Sequence, residues 1–222
     1  MKTRTFKDTI YRELATIVKA MGNSHRLEIL ELLAQRPCPV EYIASNTRTS
    51  IANASQHLQV LKKARLVKAE QKGKYSYYSL ADDRVFEAWK SLRELGFAQN
   101  AEIGKLIRDF RFHRDSLETV SSLDLLQKIQ KNEIVLLDVR PEEEYKEGHI
   151  ASAISVPTEH LVDRLKDLPK DKEIVAYCRG PLCAMADEAV EMLKQHGFDS
   201  KRLDDGYPDW MIRGLPVEME EM

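Results

Sequence analysis

The chain has 222 residues, 43% of them hydrophobic and 32% charged, with a formal net charge of −2. That length allows two small domains, each with its own core, and three cysteines are too few and too scattered for a disulfide framework. No apolar run approaches the ~20 residues that cross a bilayer, and the opening MKTRTFKDTIYREL lacks the apolar core of a secretory signal, so a cytoplasmic protein with no membrane partner is expected.

The charge is unevenly spread. Residues 1–115 carry 21 Lys and Arg against 13 Asp and Glu, a net of +8, whereas residues 116–222 carry 13 against 23, a net of −10. A basic half joined to an acidic half suggests that the first half alone meets a polyanion. In chain order, residues 7–20 read as a helix with Ile10, Leu14, Ile17 and Val18 on one face. Gly22-Asn23-Ser24 interrupts it, and Ser24 is expected to cap a second helix through Leu33. Pro37 and Pro39 end that helix and open a short one from Val40 to about Ser45. A third runs from Thr49 or Ser50 to about Ala64, with Ile51, Ala54, Leu58 and Leu61 on its inner face. LVKAEQKGKYSYYSL then alternates about Lys72-Gly73-Lys74 as a β-hairpin does. Helix, helix, helix, hairpin is the order of a winged helix-turn-helix domain, mainly α with a β-hairpin wing.

Residues 82–112 form one long or broken helical stretch whose apolar positions include Val85, Trp89, Leu92, Leu95, Ile103, Leu106, Ile107 and Phe110. Pairing with a second subunit is the expected outlet for them. The pattern changes around residues 113–118, which divides the chain into domains 1–112 and 113–222. EIVLLDV (133–139) and EIVAYC (173–178) are apolar runs suited to strands buried on both faces. Helical segments 158–168 and 184–196 lie between and after them, the latter closed by Gly197. This alternation predicts an α/β domain with a mainly parallel sheet.

The third helix turns Asn53, Ser55, Gln56, His57 and Gln59 away from its apolar stripe, a set able to hydrogen-bond base edges in a major groove. Ser50 begins the helix, Lys62, Lys63 and Arg65 follow its C-terminal end, and Lys72 and Lys74 occupy the wing tip, where phosphates would lie. Helix periodicity alone also explains a polar face, and for His57 a packing or capping role stands beside the DNA-reading one. The ordered set MGNSHRLEILELLA, VEYIASNT, SIANASQHLQVLKKARLV and KGKYSYYSL resembles the ArsR family of winged-helix repressors over residues 7–112. That resemblance implies a homodimer on a short inverted repeat of double-stranded DNA, with Ser55, Gln56 and His57 facing the groove. The Cys-x-Cys pair by which some members sense metal is missing. Cys38 is alone between two prolines, and His25, His57 and His113 have no ligand spacing. No metal and no cofactor are expected.

The second half resembles the rhodanese family over residues 117–219. Leu137-Asp138-Val139-Arg140, Glu144-Tyr145 and Gly148-His149-Ile150 match its early signature; Asp205-Gly206-Tyr207, Trp210, Gly214, Pro216 and Val217 match its closing one. Between them, Cys178-Arg179-Gly180-Pro181-Leu182-Cys183 takes the place of the active loop, joining a strand to a helix. A thiolate there meets backbone N–H groups and the positive end of a helix dipole, which would lower its pKa. The resemblance implies that Cys178 takes sulfane sulfur from a donor as a persulfide and passes it to an acceptor thiol, cradled by the amides of 179–183, with Asp138 and Arg140 supporting the loop. The loop departs from the family's Cys-x-x-Gly-x-Arg pattern. Gly180 comes one place early, Pro181 lacks an N–H, and Arg179 is the cation available to an anionic donor. This counts against efficient sulfurtransferase turnover of thiosulfate and leaves persulfide formation open. Cys183 is either a resolving thiol or a packed core residue. The leading expectation is a DNA-binding regulator whose second domain senses or carries sulfur or oxidant at Cys178. The rival is a sulfurtransferase that uses the winged helix for dimerisation or localisation, and a third reading has an inert rhodanese-like module.

Overall fold

A computed structural model describes residues 3–112 and 118–220. It divides into two compact units, Met1–Leu92 and Arg93–Met222. In the first unit α1 spans Thr3–Met21 and α2 Ser24–Leu33, followed by β1 (Cys38–Pro39), α3 (Val40–Asn46), α4 (Ile51–Lys63), β2 (Val67–Lys72) and β3 (Tyr75–Leu80). The division falls within α5, Asp83–Gln99. The N-cap of α2 is Asn23 rather than Ser24: the Asn23 side chain accepts from the Arg26 N–H at 3.2 Å, and Ser24 is already helical. Ser50 caps α4 in the same way, accepting from the Asn53 N–H. Two residues, Gly73 and Lys74, connect β2 to β3, and Gly73 sits at φ +60°, the left-handed turn geometry that a two-residue hairpin needs. The three strands form an antiparallel sheet in the order β1-β3-β2. Ile29, Leu30, Ile43, Ala54, Leu58 and Leu61 form its core, so the inward stripe of α4 is the expected one except for Ile51, which is exposed.

The second unit takes in the end of α5 and α6 (Ala101–Phe112), residues the sequence reading counted with the first domain. The predicted 82–112 stretch is thus broken at Asn100. The pattern change expected near 113–118, and His113, fall at 113–117, outside the described residues. Then come β4 (Thr119–Val120), α7 (Ser122–Gln130), β5 (Ile134–Asp138), α8 (Glu142–Glu147), β6 (His149–Ile150), β7 (Ile154–Ser155), α9 (Leu161–Arg164), β8 (Glu173–Tyr177), α10 (Met185–Gln195), β9 (Ser200–Leu203), α11 (Tyr207–Ile212) and β10 (Val217–Glu218). The predicted helix 158–168 resolves into α9 flanked by two 3-10 turns.

Five strands form a parallel sheet in the order β4-β9-β8-β5-β7, and β10 pairs antiparallel with β6. Alternate residues of the central strands enter different cores, as strand geometry requires. Leu137, Ile174, Ala176 and Cys178 pack with Ala189, Val190 and Leu193 of α10. Leu136, Val175 and Tyr177 pack with Leu125 and Trp210. Parallel strands covered on both faces explain why their sequence is continuously apolar. They also place the end of β8, and so Cys178, at the carboxyl edge of the sheet.

Candidate functional site

The chain leaves β8 at Tyr177 and enters α10 at Met185, and the intervening residues fold back on themselves. The Cys183 N–H donates to the Gly180 carbonyl at 3.1 Å, closing a turn that brings both cysteines to one place. Cys178 is buried, 1% exposed, with its Sγ 3.6 Å from the Cys183 carbonyl oxygen and 3.8 Å from that of Gly180. Cys183 is half-buried, and both thiols are free. The two sulfurs are hydrogen-bonded to each other. That contact, burial and the Cys183 charge push the Cys178 thiol well up, against the N–H groups of Gly180 and Ala186. Cys183 is held down to about 7 by the Cys178 S–H, against burial, helped by the N–H groups of Met185 and Arg179 and the Arg179 charge. The lowered pKa expected at Cys178 therefore belongs to Cys183. Its cause is the neighbouring S–H, which no reading of a single position reveals. The backbone N–H groups that favour the two thiolates extend beyond residues 179–183 to Met185 and Ala186 at the start of α10.

A buried polar frame holds this loop. Asp138 accepts from the Arg140 N–H, from its guanidinium at 2.6 Å and from the Tyr177 hydroxyl at 2.6 Å. Arg140 donates in turn to the Gly148 carbonyl at 2.7 Å and lies 4.4 Å over the Tyr207 ring. Burial alone would lower the Arg140 pKa, but the Asp138 charge and its hydrogen bonds raise it instead. The early and closing sequence signatures thus meet on one guanidinium. Gly206 lies against the backbone of Arg179 and Gly180, where a Cβ would collide, and the Tyr207 N–H donates to the Cys178 carbonyl at 3.2 Å. Arg179 is already engaged: its guanidinium grips the fully buried Glu144 carboxylate, with Nη2–Oε1 at 2.6 Å and Nε–Oε1 at 3.0 Å. The cation expected to hold an anionic donor therefore carries its counter-ion inside the protein. From α6, Arg111 donates to the Pro181 carbonyl at 2.8 Å and pairs with Asp187 at 3.6 Å. Leu182 is exposed.

In the first unit α4 presents Asn53, Gln56 and Gln59 as exposed residues and Ser55 as half-buried, with Lys62 exposed beyond them. His57 is half-buried, its ring 5.4 Å from that of His25 on α2. Burial and then the His25 and Arg26 charges lower its pKa. Ser50 serves as the α4 cap. On the hairpin, Lys72 lies 5.7 Å over the Tyr77 ring and Lys74 5.3 Å over Tyr75, both lysines exposed. Cys38 is fully buried, paired across the sheet with Tyr78. Among the described residues no group of three or more His, Cys, Asp or Glu could hold a metal ion, and no helix is long and apolar enough to cross a membrane.

Residues 23–69 match the bacterial regulatory protein, arsR family, and residues 121–213 match the rhodanese-like domain. An HTH-type transcriptional regulator of Mycobacterium tuberculosis is 38% identical over 96% of this chain and 93% of its own length. The chain belongs to that family of ArsR-type transcription regulators carrying a rhodanese-like domain. A sulfurtransferase of Allochromatium vinosum is 33% identical over 46% of this regulator and 95% of its own chain. Among solved structures, a homodimeric winged helix-turn-helix domain from Mycobacterium bovis covers 45% of the regulator and 91% of that chain, at 33% identity and TM-score 0.42. A rhodanese-related protein from Thermoplasma volcanium covers 46% and 99%, at 30% identity and TM-score 0.42.

The regulator's structure brings Cys178, Arg179, Gly180, Pro181, Leu182 and Cys183 into one loop, and Ser50, Asn53, Ser55, Gln56, His57 and Lys62 onto one helix, with Lys72 and Lys74 on the hairpin. Three residues of the loop's surroundings were not anticipated: Glu144 as the partner of Arg179, Gly206 as the floor of the loop, and Arg111 of α6. Gly206 and Glu144 stood within recognised motifs and only their roles were illegible. Arg111 had no signal, because its helix read as a dimerisation element.

Proposed function

We propose that this ArsR-type regulator binds a short inverted repeat of double-stranded DNA as a homodimer, and that reaction of Cys178 with sulfane sulfur or an oxidant changes its operator affinity. The observation that carries the reading is the thiol pair itself: two free cysteines brought together in one loop, their proton affinities shifted in opposite directions, on a chain that also carries a polar-faced α4 and a lysine-tipped hairpin. Two hydrogen-bonded thiols differing in proton affinity are how redox sensors combine attack and resolution. Dimerisation is supported by α1, whose Phe6, Ile10, Tyr11, Leu14, Ile17 and Val18 are 39–68% exposed in the single chain. Steady turnover of thiosulfate is disfavoured, since Cys178 is buried and Arg179 is neutralised by Glu144.

The test compares operator affinity at one fixed salt concentration for the reduced protein, the polysulfide-treated protein and Cys178→Ser. A change of about tenfold or more (~1.4 kcal/mol) in the parent alone is the expected result. Specific binding indifferent to polysulfide would leave a regulator whose loop is not its switch. Sustained sulfur transfer without specific DNA binding would favour the sulfurtransferase reading.

A further inference from the structure

Beside the loop, within the second unit, lies an open cleft of about 220 Å³ between α6 and the residues from Pro181 to Asp187. Cys183 lines it; Cys178 does not. The cleft's apolar wall is formed by Leu106, Phe110 and Leu182, which are 59%, 55% and 48% exposed. Its charged groups are Arg111 and Asp187, and the Asp187 carboxylate is shared between Arg111 at 3.6 Å and buried Arg202 at 3.3 Å. An apolar substituent on a sulfur donor finds a surface to cover there.

We propose that Cys183, reached through this cleft, is the thiol that first accepts sulfur, that its donor is an organic hydropersulfide with an apolar substituent, and that buried Cys178 acts second as the resolving thiol. The assignment rests on reading the loop as a sulfane-sulfur site. In the first step the Cys183 thiolate attacks the outer sulfur of R–S–SH. A bond forms from Cys183 Sγ to that sulfur, the donor's S–S bond breaks, and RS⁻ departs with the electron pair and takes up a proton. In the second step Cys178 gives up its proton and attacks Cys183 Sγ, expelling the outer sulfur as HS⁻. The net change converts the hydropersulfide and two thiols to one disulfide, the free thiol RSH and hydrogen sulfide: the protein thiols are oxidised and the sulfane sulfur is reduced. The order suits the site. Once Cys183 is no longer a thiolate, the hydrogen bond and charge that kept the proton on Cys178 are gone, and the Gly180 and Ala186 N–H groups that favour its thiolate remain. The groups facing Cys183 are the Cys178 thiol, Arg179 from the loop, Arg111 from α6 and Asp187 from α10.

The experiment treats parent, Cys178→Ser and Cys183→Ser with benzyl hydropersulfide, quenches with iodoacetamide and locates added sulfur by peptide mass mapping. Cys178→Ser should retain one extra sulfur on Cys183, the parent should pass to the disulfide, and Cys183→Ser should react about tenfold or more slowly. Because either serine could disturb the loop, limiting iodoacetamide on the untreated parent gives a second readout, in which Cys183 should be labelled before Cys178. Sulfur on Cys178 at the parent rate in Cys183→Ser, or Cys178 labelled first, overturns the order while leaving a sulfur-sensing loop intact. Thiosulfate reacting as fast as benzyl hydropersulfide overturns the donor class. If the parent takes up no sulfur from any donor, the sulfane-sulfur reading fails and this one with it.

Discussion

Cys178 and Cys183 are the same amino acid in one turn, yet their protons are held in opposite ways. The thiolate on Cys183 is stabilised first by the S–H of its neighbour, and Cys178→Ala removes that donor. The deprotonated form loses the interaction, so its pKa rises: Cys183 alkylation, with a midpoint at about 7 in the parent, should shift toward the range of an ordinary thiol. Rates of iodoacetamide labelling against pH, resolved by peptide, measure this. An unmoved midpoint would assign the effect to Arg179 and the Met185 N–H, the other groups that lower it. At this scale the sequence located the loop that the structure folds into one place but not the states of its side chains. Which thiol holds its proton more tightly depends on a hydrogen bond across a turn, and the neutralisation of Arg179 depends on Glu144, contributed by α8.

Elements were more legible than side-chain states, because periodicity and caps act locally. The inward stripe of α4, the hairpin about Gly73 and the two apolar strands β5 and β8 follow from patterns that need no partner. What escaped were features set by packing: Asn23 rather than Ser24 as the α2 cap, the position of the helix break at Asn100, and the contact of α6 with the loop. The DNA-facing elements carry a paired prediction. Gln56 is exposed on α4 and Lys74 on the hairpin, so one is suited to a base edge and the other to a phosphate. Gln56→Ala should cost about 1–3 kcal/mol on the operator and little on unrelated DNA. Lys74→Ala should weaken binding to every sequence and lower the slope of log affinity against log salt by about 1. Fluorescence anisotropy over a salt series separates them. Equal losses on operator and unrelated DNA for Gln56→Ala would remove base reading from that face of α4.

The whole molecule poses the question of what covers α1. Its 19 residues would span about 28 Å at the helical rise, and Phe6, Ile10, Leu14, Ile17 and Val18 recur along it at intervals of three and four. Such a stripe facing water is unfavourable by roughly 25 cal/mol for each Å² of apolar surface left uncovered, whereas Val85 and Trp89 of α5, which the sequence also offered for pairing, are buried in the single chain. A second copy presenting the same stripe is self-complementary about a two-fold axis, the symmetry an inverted repeat demands. Leu14→Asp places a charge in the middle of that stripe at an exposed position, so the fold should persist while the dimer dissociates. Sedimentation should then report a monomer, and operator affinity should fall about a hundredfold or more, because each half-site would be bound without the effective concentration that a linked partner supplies. A variant that remains dimeric with parental affinity would move the interface from α1 to the exposed Leu92 and Leu95 of α5. A monomer that keeps full affinity would show that one copy suffices to recognise the operator.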